Sequence, residues 1–130
     1  MKLLIVDDSA ELRRELIAQF SDTPEISIVG EADTAPIAIA LIRSMKPDVV
    51  LLDLLLRSGS GFNVMTATLS GPDVPAIIVL SNLADAFFRA RCQQPHVLRF
   101  FDKSKQFQEA VALCRELASN GTFETAATEQ

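Results

Sequence analysis

Leu3-Leu4-Ile5-Val6-Asp7-Asp8-Ser9 is the stretch whose reading decides the fold: four apolar residues in a row, two carboxylates, then a residue suited to opening a helix. A short unbroken apolar run fits a strand buried on both faces, as in a parallel sheet, better than the alternation of a strand with one wet face. The same punctuation recurs along the chain. Residues 26–29 lead to Glu31, residues 49–52 stop at Asp53, residues 77–80 stop at Ser81, and residues 97–101 end just short of Lys103. A parallel α/β sheet gathers the carboxyl ends of its strands at one rim. If the five runs are such strands, the carboxylates after the first three, the Ser81 hydroxyl and the Lys103 ammonium meet in one crevice suited to a divalent metal and a phosphoryl group.

The segments between the runs have helical spacing. Ser9 can cap a helix with Leu12, Leu16, Ile17 and Phe20 on one side, closed by residues 22–24. Residues 35–45 are rich in Ala, Ile and Leu and stop before Pro47. Gly61 opens a third helix through Leu69, ended by Gly71-Pro72. Residues 85–93 form a short fourth helix carrying Phe87, Phe88 and two arginines, and residues 104–118 a fifth with Phe107, Ala110, Val111, Cys114 and Leu117 along one side. Strand then helix, five times over, demands a parallel sheet covered on both faces with right-handed crossovers. Residues 51–52 and 77–80 fit central strands, residues 2–6 are similar, and the more mixed residues 25–32 fit an edge. Residues 122–130, Thr, Ala and Glu with little to bury, are expected to form a frayed tail, so the division is a domain over 1–119 and a flexible segment over 120–130.

With 130 residues the chain is one domain, and 48% hydrophobic residues supply a core that needs no disulfides. A net charge of −5 with scattered arginines argues against a nucleic-acid surface. No apolar stretch reaches membrane-spanning or signal-peptide length, so a soluble cytoplasmic protein is expected. Cys92 and Cys114, without CxxC spacing, read as free buried thiols. His96 stands alone, a loop or strand-start residue without metal-site partners.

Asp7, Asp8 and Asp53 offer the hard oxygen ligands that Mg²⁺ takes, and clustered carboxylates repel one another unless a cation joins them. A carboxylate such as Asp53 can also attack phosphorus to form an aspartyl phosphate. Lys103 and the Ser81 hydroxyl would hold the oxygens of the transferred group, the electrostatic work that phosphoryl transfer mainly requires. Each residue taken singly has a plainer reading: Asp7, Asp8 and Ser9 as the charge and cap of a helix start, Asp53 and Ser81 as turn residues, Lys103 as a solvated lysine. Their joint placement at successive strand ends favours the functional reading.

These residues resemble those of the receiver domain of bacterial two-component response regulators, over residues 2–117. The acidic pair of that family corresponds to Asp7 and Asp8, its phosphoacceptor to Asp53, its Ser/Thr to Ser81, its lysine to Lys103, and the glycine of the following loop to Gly61. The resemblance implies a doubly wound, flavodoxin-like α/β fold with a five-stranded parallel sheet of order 2-1-3-4-5 and five helices. It also implies a Mg²⁺ site formed by Asp8, Asp53, Asp7 largely through water, and the carbonyl of Leu55. Phe100 takes the place of the aromatic switch residue, whose plainer reading is a packed strand residue. In the family the phosphoryl group draws the Ser/Thr inward and the ring fills the vacated space, altering the surface of the fourth helix, fifth strand and fifth helix. The implied partners are a sensor histidine kinase or phosphotransfer protein and a downstream protein, with no nucleic acid or membrane, and with a homodimer through that same surface as an option.

Three departures from the family pattern stand out. Arg57 and Ser104 occupy positions where proline is usual, and Asn82 follows Ser81 where a smaller residue is usual. Asn82 is expected to narrow access to Asp53, so that small-molecule phosphodonors react poorly. Leu55 and Leu83 flank the route of water and cannot orient it, so autodephosphorylation is expected to be slow. The leading expectation is a single-domain response regulator acting as a phosphoacceptor and not as an enzyme. The alternatives are a receiver fragment of a longer regulator, a phosphorylation-independent binding module of the same fold, and an aspartyl-nucleophile phosphohydrolase, which would usually carry a second aspartate where Leu55 stands. Gly59-Ser60-Gly61 lacks a third glycine at Val64 and reads as a flexible loop rather than a nucleotide-binding turn.

Overall fold

The structure, a computed structural model, describes residues 1–121; the tail expected at 122–130 lies outside them. The elements run β1 (Lys2–Val6), α1 (Ala10–Phe20), β2 (Ser27–Ala32), α2 (Ala35–Met45), β3 (Val49–Leu52), α3 (Gly61–Thr68), β4 (Ala76–Ser81), α4 (Ala86–Arg91), β5 (Val97–Asp102) and α5 (Phe107–Ser119). All strand pairings are parallel and the sheet order is β2-β1-β3-β4-β5, the flavodoxin-like arrangement. The unbroken apolar runs supply the three inner strands, every residue of β3 being buried. Both edges, β2 and β5, have mixed burial, since an edge strand has a neighbour on one side only.

Alternate residues of each inner strand serve opposite faces. Leu4, Val6, Val50, Leu52, Ile77 and Val79 pack with α2, α3 and Cys92, while Leu3, Ile5, Val49, Leu51, Ile78 and Leu80 pack with α1 and α5. Both thiols are free and buried in these two layers, Cys92 in the first and Cys114 in the second. His96 sits just before β5 and is buried, with its Nε2 3.5 Å from the Thr68 hydroxyl of α3. Among the described residues no helix is long and apolar enough to cross a membrane.

Local chemistry sets the helix starts. Ser9, Thr34, Ser60 and Asp85 each stand before a helix with extended backbone and accept a hydrogen bond from a first-turn N–H. Residues 59–61, expected as a flexible loop, instead build a capping box in which Ser60 and Asn63 exchange side-chain-to-backbone bonds. The fifth helix begins at Phe107, the first residue of its apolar face and three positions later than the expected start at Ser104. Asp102 accepts from the backbone and hydroxyl of Ser104 at 3.0 and 2.8 Å, and Gln106 Oε1 accepts from Asp102 N at 2.9 Å. These side-chain bonds hold residues 102–106 in a turn and compete with the helical ladder.

Candidate functional site

Strand register brings the candidate residues to one rim. Val6 lies opposite both Ala32 and Leu52, Leu52 opposite Val79, and Ser81 opposite Asp102. The ladder continues one step past the strands: Asp7 N donates to Ala32 O at 3.0 Å, Asp53 N to Val6 O at 2.9 Å, and Lys103 N to Ser81 O at 3.0 Å. Asp7, Asp53, Ser81 and Lys103 are therefore placed by backbone pairing before any side-chain contact forms. The bond from Lys103 N also holds the lysine in place with serine, not proline, after it.

The side chains converge. The Lys103 ammonium is 2.7 Å from Asp53 Oδ2 and 2.7 Å from Asp7 Oδ2. Asp53 Oδ1 accepts from the Ser81 hydroxyl at 2.7 Å and from Leu55 N at 3.2 Å, and Asp7 Oδ1 accepts from Ser9 N at 2.9 Å. Asp7, Asp53 and Ser81 are buried, whereas Asp8 is exposed at the mouth. Burial raises the Asp7 carboxyl above its ordinary value, a rise that the hydrogen bonds from Lys103 and Ser9 only partly oppose. For Lys103, burial pulls the ammonium down, but its contacts with Asp53 and Asp7 outweigh that and hold it above the usual lysine value.

One carboxylate oxygen from each of Asp7, Asp8 and Asp53 lies within 4.8 Å of the others. A hard-oxygen set of this kind, with one member open to solvent, can coordinate a divalent cation such as Mg²⁺. Three carboxylates against one ammonium leave negative charge in excess, which a divalent cation would offset. The donor chemistry fits the metal.

Glu31, expected at the same crevice, is not part of this cluster. It projects from edge strand β2 and pairs with Arg13 Nε at 2.9 Å, while Arg13 Nη1 donates to the Asp7 carbonyl at 2.6 Å. Arg13 was not legible as a site residue, because its reach depends on how α1 is rotated against β1. The backbone N–H of Ser9 is a second contact that the helix-cap reading of that residue did not anticipate.

Phe100 is half-buried on β5 and packs against the core layer of α2 and α3, with the Arg89 guanidinium 4.5 Å above its ring. Leu55 is 60% exposed beside the site. Asn82 is exposed, and Leu83 is half-buried with its N–H donating to Ser81 Oγ at 3.2 Å. Arg57 pairs with Asp33 at 2.8 Å and its N–H donates to the Asp33 carbonyl at 3.0 Å, tying the loop after Asp53 to the loop after β2. That contact holds the Asp33 carboxyl below its ordinary value. Gly61 sits where a Cβ would fall 2.6 Å from the Asp53 carbonyl oxygen and 2.9 Å from Leu54 Cα. Only glycine lets the helix start approach the end of β3 this closely.

Known proteins with similar sequence and fold agree with one another. The family model described as "response regulator receiver domain" matches residues 3–115. A protein-glutamate methylesterase/protein-glutamine glutaminase of Oleidesulfovibrio alaskensis is 32% identical over 126 residues, covering 88% of this chain and 34% of that protein. The DNA-binding transcriptional activator DevR/DosR of Mycobacterium tuberculosis is 35% identical over 86 residues, covering 65% of this chain and 40% of its own length. The chain thus spans well under two thirds of these relatives. Among solved structures, the signal receiver domain of NarL from Mycobacterium tuberculosis superposes with a TM-score of 0.80 at 24% identity, covering 91% of this chain and 95% of that one. The response regulator domain of Thermotoga maritima CheB gives 0.75 at 21% identity, over 92% and 94%.

Proposed function

We propose, from the premise that this chain belongs to the response regulator receiver domain family, that Asp53 accepts a phosphoryl group from a phosphohistidine of a sensor kinase or phosphotransfer protein. The family is one of signalling domains rather than catalytic enzymes. The observation that supports the reading is the convergence of Lys103, Ser81 and the two carboxylates of Asp7 and Asp8 on the Asp53 side chain.

In the transfer, a carboxylate oxygen of Asp53 forms a bond to phosphorus as the donor's phosphorus–nitrogen bond breaks, and the imidazole leaves with that electron pair. Lys103, already within hydrogen-bond reach of Asp53 Oδ2, donates to a phosphoryl oxygen and offsets its charge. The Ser81 hydroxyl turns its proton from Asp53 Oδ1 to a second phosphoryl oxygen. Asp8, Asp53, Asp7 largely through water, and the Leu55 carbonyl would hold Mg²⁺, which supplies positive charge to the transferring oxygens. Burial of Asp7 and Asp53 keeps these interactions strong by limiting competing water.

On Asp53 the phosphoryl group carries roughly −1.5 to −2 charges in place of the carboxylate's one and sets three acceptor oxygens beside Ser81, enough to bias a packing element between two arrangements. Phe100 is the element we assign to that switch. Its ring is only half-buried and is held from outside by Arg89, so inward movement would free Arg89 and reshape the face of α4, β5 and α5 toward a downstream protein or a second copy. Asn82 and the apolar Leu55 and Leu83 tune access, making small phosphodonors slow to react and the acyl phosphate long-lived.

The test is transfer from a panel of phosphorylated histidine kinases and phosphotransfer domains, followed by intact-mass and peptide mapping. A single phosphoryl adduct on Asp53, needing Mg²⁺ and absent in Asp53→Asn, is the expected result. Adduct on another residue, or labelling that persists in Asp53→Asn, contradicts it. Substituting a polar residue for Leu83 is expected to shorten the half-life of the adduct, and an unchanged half-life would remove Leu83 from the account.

A further inference from the structure

On the far side of α4 from β5, a cleft of about 200 Å³ opens between α3 and α4, lined by Phe62, Met65, Thr66, Arg91 and Gln94. Clefts that enclose a drug-sized ligand run to roughly 300–1,000 Å³, so this one has room for a single large side chain rather than a metabolite. Its lining holds one aromatic ring, Phe62, and two further rings adjoin it: Phe62 of α3 stacks on Phe88 of α4 with centroids 6.3 Å apart, Phe88 meets Phe87 edge to face at 5.3 Å, and Phe87 is 64% exposed.

The electrostatics of this cleft differ from those of the rest of the molecule. Between Arg57 and Asp73 the chain carries no charged residue, and between Asp85 and Asp102 it carries Arg89, Arg91 and Arg99 with no acidic one. The α3 wall is therefore neutral and the α4 wall cationic, in a protein of net charge −5. The Arg91 guanidinium lies 3.9 Å over the Phe62 ring and 5.9 Å from Phe87, and among the described residues no carboxylate lies within ion-pair distance of it. An arginine stacked on aromatic faces keeps its in-plane N–H fork free for a carboxylate. An acidic segment is repelled by the remaining surface and attracted here.

We propose that the cleft between α3 and α4 binds an acidic peptide segment of a partner protein, which seats one bulky apolar side chain against Phe62 and Phe87 and pairs its carboxylates with Arg91. The cleft shares α4 with the face assigned to the phosphorylation switch but opens on its α3 side, and its occupancy needs no phosphoryl group on Asp53. Anchor and charge act together: contact with the rings supplies apolar burial, and Arg91 sets the sign of the sequences accepted.

The test titrates the isotope-labelled full chain, without phosphodonor, with a synthetic acidic peptide carrying one central Phe. Two companions replace that Phe with Ala or the carboxylates with amides. Amide shifts at Phe62, Met65, Thr66, Phe87, Arg91 and Gln94 are expected with the parent peptide, with affinity weakened about tenfold or more by either companion and by Arg91→Glu. Arg14→Glu on α1, across the sheet from the cleft, makes the same change in net charge and is expected to leave the affinity within about twofold, the scale of a distant exposed charge. Absence of shifts at these residues, equal binding by the amide peptide, or undiminished binding by a folded Arg91→Glu variant overturns the proposal. Equal shifts from a single-stranded oligonucleotide of matched charge would mean unselective attraction of polyanions, and broadening of these amides with protein concentration alone would assign the cleft to a second copy. Either result also overturns it. Because no phosphoryl transfer enters the measurement, this outcome and that of the Asp53 labelling are independent.

Discussion

At the scale of single residues, the site is an imbalance of charge: Asp7, Asp8 and Asp53 face one ammonium. Removing Lys103 leaves two buried carboxylates unpaired, so Lys103→Met is expected to lose about 3 kcal/mol in chelator, the lower end for breaking a buried pair because the lysine is partly exposed. Mg²⁺ is expected to restore more of that stability to the variant than it adds to the parent; urea unfolding with and without Mg²⁺ measures both. Asp7→Asn should act in the opposite direction. The Asp7 carboxyl is raised in the fold by burial, so between the folded and unfolded values the native state holds more protons and stability increases as pH falls. At neutral pH the ionised carboxylate is therefore a cost, and Asp7→Asn is expected to be more stable than the parent in chelator. That advantage shrinks as pH drops toward the unfolded value; an advantage that grows under acid would contradict the assignment. Asp7, Asp53, Ser81 and Lys103 were legible in the sequence because each follows an apolar run whose pairing fixes its place. Arg13 and the diversion of Glu31 were not, since a long side chain's choice of partner depends on the rotation of a helix against the sheet.

At the scale of elements, the join between β3 and α3 and the join between α3 and β5 carry the tests. A Cβ at Gly61 meets backbone atoms that cannot swing aside, so Gly61→Ala is expected to cost about 1–3 kcal/mol, the range of overpacking, and to displace the loop that presents Leu55. Denaturant midpoints and the amide shifts of residues 53–61 report the two effects. His96 is held below its ordinary value by burial, whereas the unfolded chain takes up that proton near pH 6.5. The unfolded state then binds more protons, and stability falls as pH drops below about 6.5, by at most about 1.4 kcal/mol per pH unit from this one group. His96→Gln should remove that component of the slope; an unchanged slope would place its cause elsewhere. Strand positions and helix order were legible because apolar runs, caps and breakers coincide. The start of α5, expected at Ser104, was not, because the side chains of Asp102, Ser104 and Gln106 hold residues 102–106 in a turn before the apolar face begins at Phe107.

At the scale of the whole molecule, two apolar layers and one polar rim divide the work. Burial pushes the Cys92 thiol up to about 11 and the Cys114 thiol up to about 12, and they lie in opposite core layers. Thiol labelling at neutral pH is therefore expected to be negligible in the native protein and to follow unfolding of each layer; equal rates for both thiols would show that the layers open together. The polar rim is the feature on which the function rests, and beryllofluoride probes it without requiring a cognate donor. Fluorine NMR of the protein with beryllofluoride and Mg²⁺ is expected to show bound resonances with accompanying amide shifts around Asp53, Ser81 and Lys103, lost on chelation and absent in Asp53→Asn. Bound resonances that survive in a folded Asp53→Asn variant, or none in the parent at saturating Mg²⁺, would contradict the assignment of Asp53 as the phosphoacceptor.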